Sequence, residues 1–363
     1  MEQIAKPHCG ARLDRLPDCR WHSSMFAMVA FGLLVCWSNA VGGLILAQLK
    51  ELGWTDNSTT ATFSAITTAG MFLGALGGGI IGDKIGRKNA FILYEAIHII
   101  AMVIGAFSPN MSFLIACRFV MGVGLGALLV TLFAGFTEYM PGRNRGTWSS
   151  RVSFIGNWSY PLCSLIAMAL TPLISAEWNW RVQLLIPAAL SLIATVIAWR
   201  SFPESPRWLE SRGRYAEAEE IMRAIEGRVA RQTGKSLPPV VIDDDGKPPR
   251  AVPYSALVTG ALLKRVILGS FVLIAMNVVQ YTLINWLPTI FMTQGINLKD
   301  SIVLNTMSMF GAPFGIFIAM LVMDKIPRKT MGVGLLVLIA ALGYIYSLQT
   351  SMLLVTLIGF FLI

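Results

Sequence analysis

Apolar residues in this chain gather into runs of about 18 to 27 residues separated by short polar stretches, the length a helix needs to cross roughly 30 Å of hydrocarbon. The runs predict membrane-spanning helices over 25–48, 61–82, 89–107, 111–136, 152–174, 182–199, 266–292, 302–323 and 331–348. A tenth run, 351–363, holds 13 residues where roughly 20 are needed, so the expectation is a chain that stops inside a helix. The pattern is all-α and polytopic: a tail over 1–24, a six-helix bundle over 25–200, a polar linker over 201–265 and an incomplete second bundle over 266–363.

Composition strengthens this picture. Of the 363 residues, 55% are hydrophobic and only 13% charged, against about 25% charged in an ordinary soluble domain. The net charge of +9 could suggest nucleic acid, but its distribution argues otherwise. Apart from Lys50, Arg181, Lys299 and, within a span, Arg118, every one of the 29 Lys and Arg residues falls on one side of the predicted topology. That side is cytoplasmic by the positive-inside rule, which puts the N-terminus inside and excludes a nucleic-acid role. The polar tail with Lys6, Arg12, Arg15 and Arg20 leads into a span too long for a cleavable signal. Trp178, Trp180 and Trp199 lie near span ends and are expected to anchor at the membrane interface. The five cysteines lack metal-ligand spacing, and no GxxxxGK[ST] loop is present, so neither a metal, a cofactor nor ATP is implied.

An internal repeat divides the spans. Asp83-Lys84-Ile85-Gly86-Arg87-Lys88 follows the second span and Asp324-Lys325-Ile326-Pro327-Arg328-Lys329 the eighth; they differ only at Gly86 and Pro327. The second half is therefore read as a copy of the first. Within the linker, residues 215–231 have the spacing of an amphipathic surface helix, while 237–239 and 243–245 read as flexible.

Four motifs carry a family likeness: Gly79-x-x-x-Asp83-Lys84-x-Gly86-Arg87-Lys88, Arg118-x-x-x-Gly122-x-Gly124-x-Gly126, Glu138-x-x-Pro141-x-x-x-Arg145-Gly146 and Pro203-Glu204-Ser205-Pro206-Arg207-Trp208-Leu209. With these the chain resembles the major facilitator superfamily, in particular its sugar porter and metabolite:proton symporter branches. The resemblance implies two six-helix halves, a bacterial inner-membrane location, a monomer, and transport of a small polar metabolite by alternating access. It also assigns Gly79, Asp83, Gly86, Arg87 and Lys88, with their second-half counterparts Asp324 and Arg328, to a latch between helices. Glu138, Arg145, Glu204 and Arg207 would couple conformations on the cytoplasmic side. Gly82 and Gly86 are expected to form a tight turn that brings Asp83 and Arg87 beside neighbouring helix termini. A shortened, transport-inactive relative or a membrane sensor is the alternative.

Three clusters suit a cavity for a hydroxylated ligand: Trp37, Ser38 and Asn39; Asn157, Trp158 and Tyr160; and Asn277, Gln280, Tyr281, Asn285 and Trp286. Ser38 stands where proton-coupled sugar porters carry an aspartate, so their proton switch does not transfer. Glu95 and His98, at i and i+3 of one span, are a second candidate for protons. Arg118, about 10 Å into the fourth span, is a functional candidate because a charge at that depth is costly, although it could also snorkel outward. Two readings of it stay open: it binds an anionic substrate such as a sugar acid, or another residue of the full fold neutralises it.

Overall fold

The computed structural model describes residues 6–35, 40–234, 236–240, 259–293, 295–322, 327–349 and 352–362, and all regular structure among them is helical. The tail forms α1 (Cys9–Asp14). The first expected span is two helices, α2 (Arg20–Val35) and α3 (Gly42–Glu51), and the second to fourth are α4 (Asn57–Ile85), α5 (Arg87–Ala106) and α6 (Met111–Tyr139). The fifth is again divided, into α7 (Arg145–Asn157) and α8 (Ser159–Leu170), and the sixth is α9 (Ala176–Ser201). The linker carries α10 (Pro206–Ser211) and α11 (Tyr215–Thr233); residues 243–245 lie outside the described ones. The second half follows as α12 (Gly260–Thr293), a divided eighth span of α13 (Leu298–Met309) and α14 (Gly311–Val322), then α15 (Arg328–Ser347) and α16 (Met352–Leu362).

Local chemistry explains these boundaries. Asp56 caps α4 by accepting from Thr59 N at 2.7 Å, Asn110 caps α6 through Phe113 N at 2.9 Å, and Asn297 caps α13 through Asp300 N at 2.9 Å. The fifth span breaks at Trp158, three residues before Pro161, which cannot donate to the carbonyl of Asn157. The eighth breaks at Phe310, three residues before Pro313, for the same reason. These spans were expected as single helices; apolar content marks where a segment crosses but does not show where its hydrogen-bond ladder is interrupted. One further expectation is corrected: Gly82 is inside α4, and the turn to α5 is Gly86 alone, at φ 99°.

Among the described residues, six helical stretches are long and apolar enough to cross a membrane. Their outer faces keep Phe72, Leu76, Ile80, Leu192 and Ile193 exposed, as expected of surfaces that meet lipid. The tightest packing is between α4 and α6, where Gly70, Gly74 and Gly78 meet the backbone of Phe119, Val123 and Ala127, and Gly122 and Gly126 that of Thr67 and Met71. A Cβ on Gly74 would lie 2.0 Å from the carbonyl oxygen of Val123, and one on Gly126 2.1 Å from that of Met71, so the backbones themselves are in contact. Gly124 faces the other way and admits the backbone of His98 on α5.

The core has two main clusters in the first half. One, at the end away from the motif loops, joins Leu44, Ile45, Phe63, Met121, Trp180 and Leu184 and takes in Ile302 of α13. The other, at the motif end, joins Leu13, Trp21, Phe136, Tyr139, Trp208 and Met222. Trp180 therefore does not anchor at an interface: it is fully buried, against Trp54 at 5.7 Å and under the Arg181 guanidinium at 4.4 Å. Trp178 and Trp199 are exposed, as expected.

Candidate functional site

Five of the expected motif residues meet around Arg87. Because only Gly86 separates α4 from α5, the N-terminus of α5 points its free N–H groups at the segment that follows α9. Glu204 occupies that position, its Oε1 accepting from Arg87 N at 2.8 Å and Lys88 N at 3.2 Å, so a carboxylate caps the positive end of the helix. A Cβ at Gly86 would fall 2.2 Å from Glu204 Oε2, so the positive φ and the close approach both require glycine there. Arg87 forks between Asp83 at 2.8 Å and Glu138 at 2.9 Å, and the second oxygen of Glu138 accepts from the Ser205 hydroxyl. Trp208 Nε1 donates to the Asp83 carbonyl at 2.6 Å, and Tyr139 OH to that of Pro203 at 2.7 Å. Gly79 takes no part in the close helix crossing; its neighbour Gly78 does.

Arg145 and Arg207 go elsewhere. Both reach Asp14 in the tail, Arg207 at 3.0 Å and Arg145 at 3.8 Å, where Gly142 N also donates at 2.8 Å. The tail is thus a docked element rather than a basic leader. Arg12 lies between Glu226, at 2.7 Å, and Glu219 of α11, and Arg15 reaches Glu226 at 2.6 Å. Cys9 N donates to Glu210 Oε2 at 2.6 Å. Burial pushes the Glu226 carboxyl up, but hydrogen bonds from Arg12 and Arg15 outweigh it and hold it below the usual carboxylate range. Glu219 is lowered in the same way, by Arg12 and Arg223. Carboxyls lowered in the folded state stabilise the clasp above their unfolded pKa, about 4.3, and release it as pH falls through the folded value. Hydrogen exchange in residues 9–14, corrected for intrinsic rates, is therefore expected to rise in acid below about pH 4. At neutral pH Arg12→Ala is expected to raise it on the order of tenfold; unchanged protection would show the clasp to be inert.

The expected substrate clusters are placed less completely. Trp37, Ser38 and Asn39 lie outside the described residues, as does Asp324; the side chains of Gln280, Asn285 and Arg328 are likewise outside them. Tyr281 and Trp286 are half-buried on α12. The Asn157 amide donates to Ser153 O of its own helix at 2.9 Å. Trp158, at the break between α7 and α8, meets Phe310, at the break between α13 and α14, edge to face at 6.0 Å. Near them, Asn305 Nδ2 donates to Ser164 Oγ at 3.0 Å, a buried hydrogen bond between the halves.

Arg118 is 1% exposed and lies over the Phe63 ring at 4.7 Å, so it does not snorkel. Glu95 and His98 are fully buried on α5, with His98 Nδ1 3.1 Å from the Met121 carbonyl oxygen. Gln48, Ser164, Asn179, Gln183 and Asn305, all buried, were not singled out from sequence. Each is a lone amide or hydroxyl in or beside an apolar run, and only the fold gathers them from four helices.

Residues 14–363 match the family model described as Major Facilitator Superfamily. The chain is 91% identical over its full length to "Putative metabolite transport protein YdjK" of Escherichia coli strain K12, covering 79% of that protein. It is 41% identical over 345 residues to the inner membrane metabolite transport protein YdjE of the same organism, 94% of this chain and 75% of that one. Among solved structures, the partially occluded inward-open form of the E. coli xylose transporter XylE superposes with a TM-score of 0.70 at 17% identity, over 94% of this chain and 81% of that one.

Proposed function

Because the chain belongs to the Major Facilitator Superfamily, we propose that it is a secondary carrier that opens one central cavity alternately to either side of a bacterial inner membrane. It transports a small metabolite and is not an enzyme; both E. coli relatives are named metabolite transport proteins, YdjE an inner membrane one. The observation that carries the mechanism is the seam between the halves, where the fifth and eighth spans break opposite each other at Trp158 and Phe310. A broken membrane helix has backbone polar groups to satisfy, and in carriers such breaks line the substrate cavity.

The interval between α2 and α3 contains the expected cluster Trp37, Ser38 and Asn39, and the break in the fifth span adjoins Asn157 and Trp158. Together with Gln280, Tyr281, Asn285 and Trp286 they supply amides, a hydroxyl and rings for a sugar, a sugar acid or another organic anion, with Arg118 as the positive charge. Glu95 and His98 are the titratable pair for proton coupling. The Lys and Arg distribution puts the tail, the linker and the Arg87 cluster in the cytoplasm. There Arg87, Glu138 and Glu204 tie the ends of α5 and α6 to the linker, so that the first half rocks as one body. The carrier works as a monomer surrounded by lipid.

In liposomes the purified protein is expected to take up at least one of a panel of sugars, sugar acids and carboxylates. Trp158→Ala is expected to lower the initial rate about tenfold, roughly 1.4 kcal/mol, at equal reconstitution. Wild-type rates in that variant would remove the seam from the transport path.

A further inference from the structure

The halves meet along an antiparallel seam, with α7 and α8 on one side and α13 and α14 on the other. Three contacts mark it in one register: Phe154 with Phe317 at 6.2 Å, Trp158 with Phe310 at 6.0 Å, and Ser164 with Asn305 at 3.0 Å. Their surroundings differ from one end to the other. Toward the motif loops Phe317 is 49% exposed, and the apolar cluster at that end contains no described residue of the second half. At the opposite end, the outer one by the Lys and Arg distribution, the two sides are sealed. Ile302, one turn before Asn305 on α13, is 1% exposed in a buried cluster otherwise built by the first half, and Leu298 packs against the same cluster.

The hydrogen bond is the polar part of that seal. Asn305 and Ser164 are both 1% exposed, and the amide of one donates to the hydroxyl of the other between helices of different halves. While the seam is closed water cannot stand in for this bond, so removing either partner leaves the other buried without it. When the halves part at this end, water reaches both groups and satisfies each, and the same removal costs nothing. The bond therefore stabilises one conformation and not the other, which is the condition for setting a conformational equilibrium. Ile302 acts in the same sense, since parting the halves moves an apolar side chain into water.

We propose that Asn305, by donating to Ser164, is a gate residue that holds the bundle shut at its outer end, with Ile302 as the apolar seal beside it. That the gate serves a carrier rests on the transport reading above; that it is held by this bond does not.

The test uses the full chain in spheroplasts, where a charged maleimide reaches only the outer side. Ala167→Cys is the reporter: Ala167 is fully buried in the same cluster, and the register of the seam puts it level with Ile302. Alkylation, read at residue 167 by peptide mass spectrometry, requires the outer end to open and so follows the open fraction. Asn305→Ala and Ser164→Ala are each expected to accelerate it about fivefold, roughly 1 kcal/mol. The double variant is expected to match the singles, because one bond is lost only once; independent effects would multiply to about twenty-five-fold. A cysteine in place of Ala106, buried in that cluster on α5, which packs on α6 and α9, is expected to keep its rate in all three variants. Unchanged alkylation at 167 in both single variants, a double variant near the product, or equal acceleration at 106 would each overturn the proposal. Uptake in liposomes is scored separately: accelerated alkylation without uptake of any solute would refute the transport reading alone, and uptake with unchanged alkylation the gate alone.

Discussion

Gly126→Leu is expected to remove the folded protein from detergent extracts, lowering the monodisperse fraction in size-exclusion chromatography at least tenfold, about 1.4 kcal/mol. The reason is the nature of the obstacle. A side chain at 126 meets the Met71 carbonyl oxygen at 2.1 Å, and one at Gly122 meets that of Thr67 at 2.3 Å. Neither is a flexible side-chain tip that could swing aside. Relief requires the axes of α4 and α6 to separate along their length, which also opens the reciprocal contacts of Gly70 and Gly74. Overpacking costs typically about 1–3 kcal/mol, and an unyielding backbone puts this case at the upper end. In lipid no hydrophobic effect between helices compensates for lost van der Waals contact. Gly77→Leu is the control: on the partner helix α4, with nothing within 4 Å of its Cβ position, it is expected to leave the yield unchanged. Equal yields for the two variants would show that the crossing adapts.

Arg118→Gln is expected to have the opposite profile: full membrane insertion, with uptake of an acidic substrate reduced by tenfold or more. Inserting an arginine deep in a helix costs about 3 kcal/mol on the translocon scale, so glutamine should not impair assembly. Glutamine still fills the space over Phe63, but it cannot supply the delocalised charge and five-donor fork that bind a carboxylate. Arg118→Lys, which retains the charge without the fork, should be intermediate. Undiminished uptake of acids by Arg118→Gln would end the case for an anionic substrate, while selective loss of acids over neutral sugars would establish it.

Six of the spans and the surface helix in the linker were legible in the sequence, because each rests on local periodicity, whereas the meeting of Arg87 with Glu138 and Glu204 joins two motif groups that the sequence kept apart, Glu138 and Glu204 having been grouped with Arg145 and Arg207. The helix breaks were less legible. Pro161 and Pro313 are visible, but so are Pro187 and Pro288, which remain inside continuous helices. Whether a proline breaks a helix depends on the partners that take up its freed carbonyl, and those are tertiary. The docking of the tail was hidden for a similar reason: Arg12 reads as one more positive-inside charge until α11 brings Glu219 and Glu226 to it across more than 200 residues. Gln48 and Asn305 show a third limit, since a single amide in an apolar run acquires meaning only from what lies opposite.

That separation between Arg12 and Glu226, 214 residues, also sets an order of events. The clasp cannot close until α11 has left the ribosome, by which time α2 to α9, the first half, have all been translated. Its closure ties the two ends of that half together, turning an open string of inserted helices into a ring.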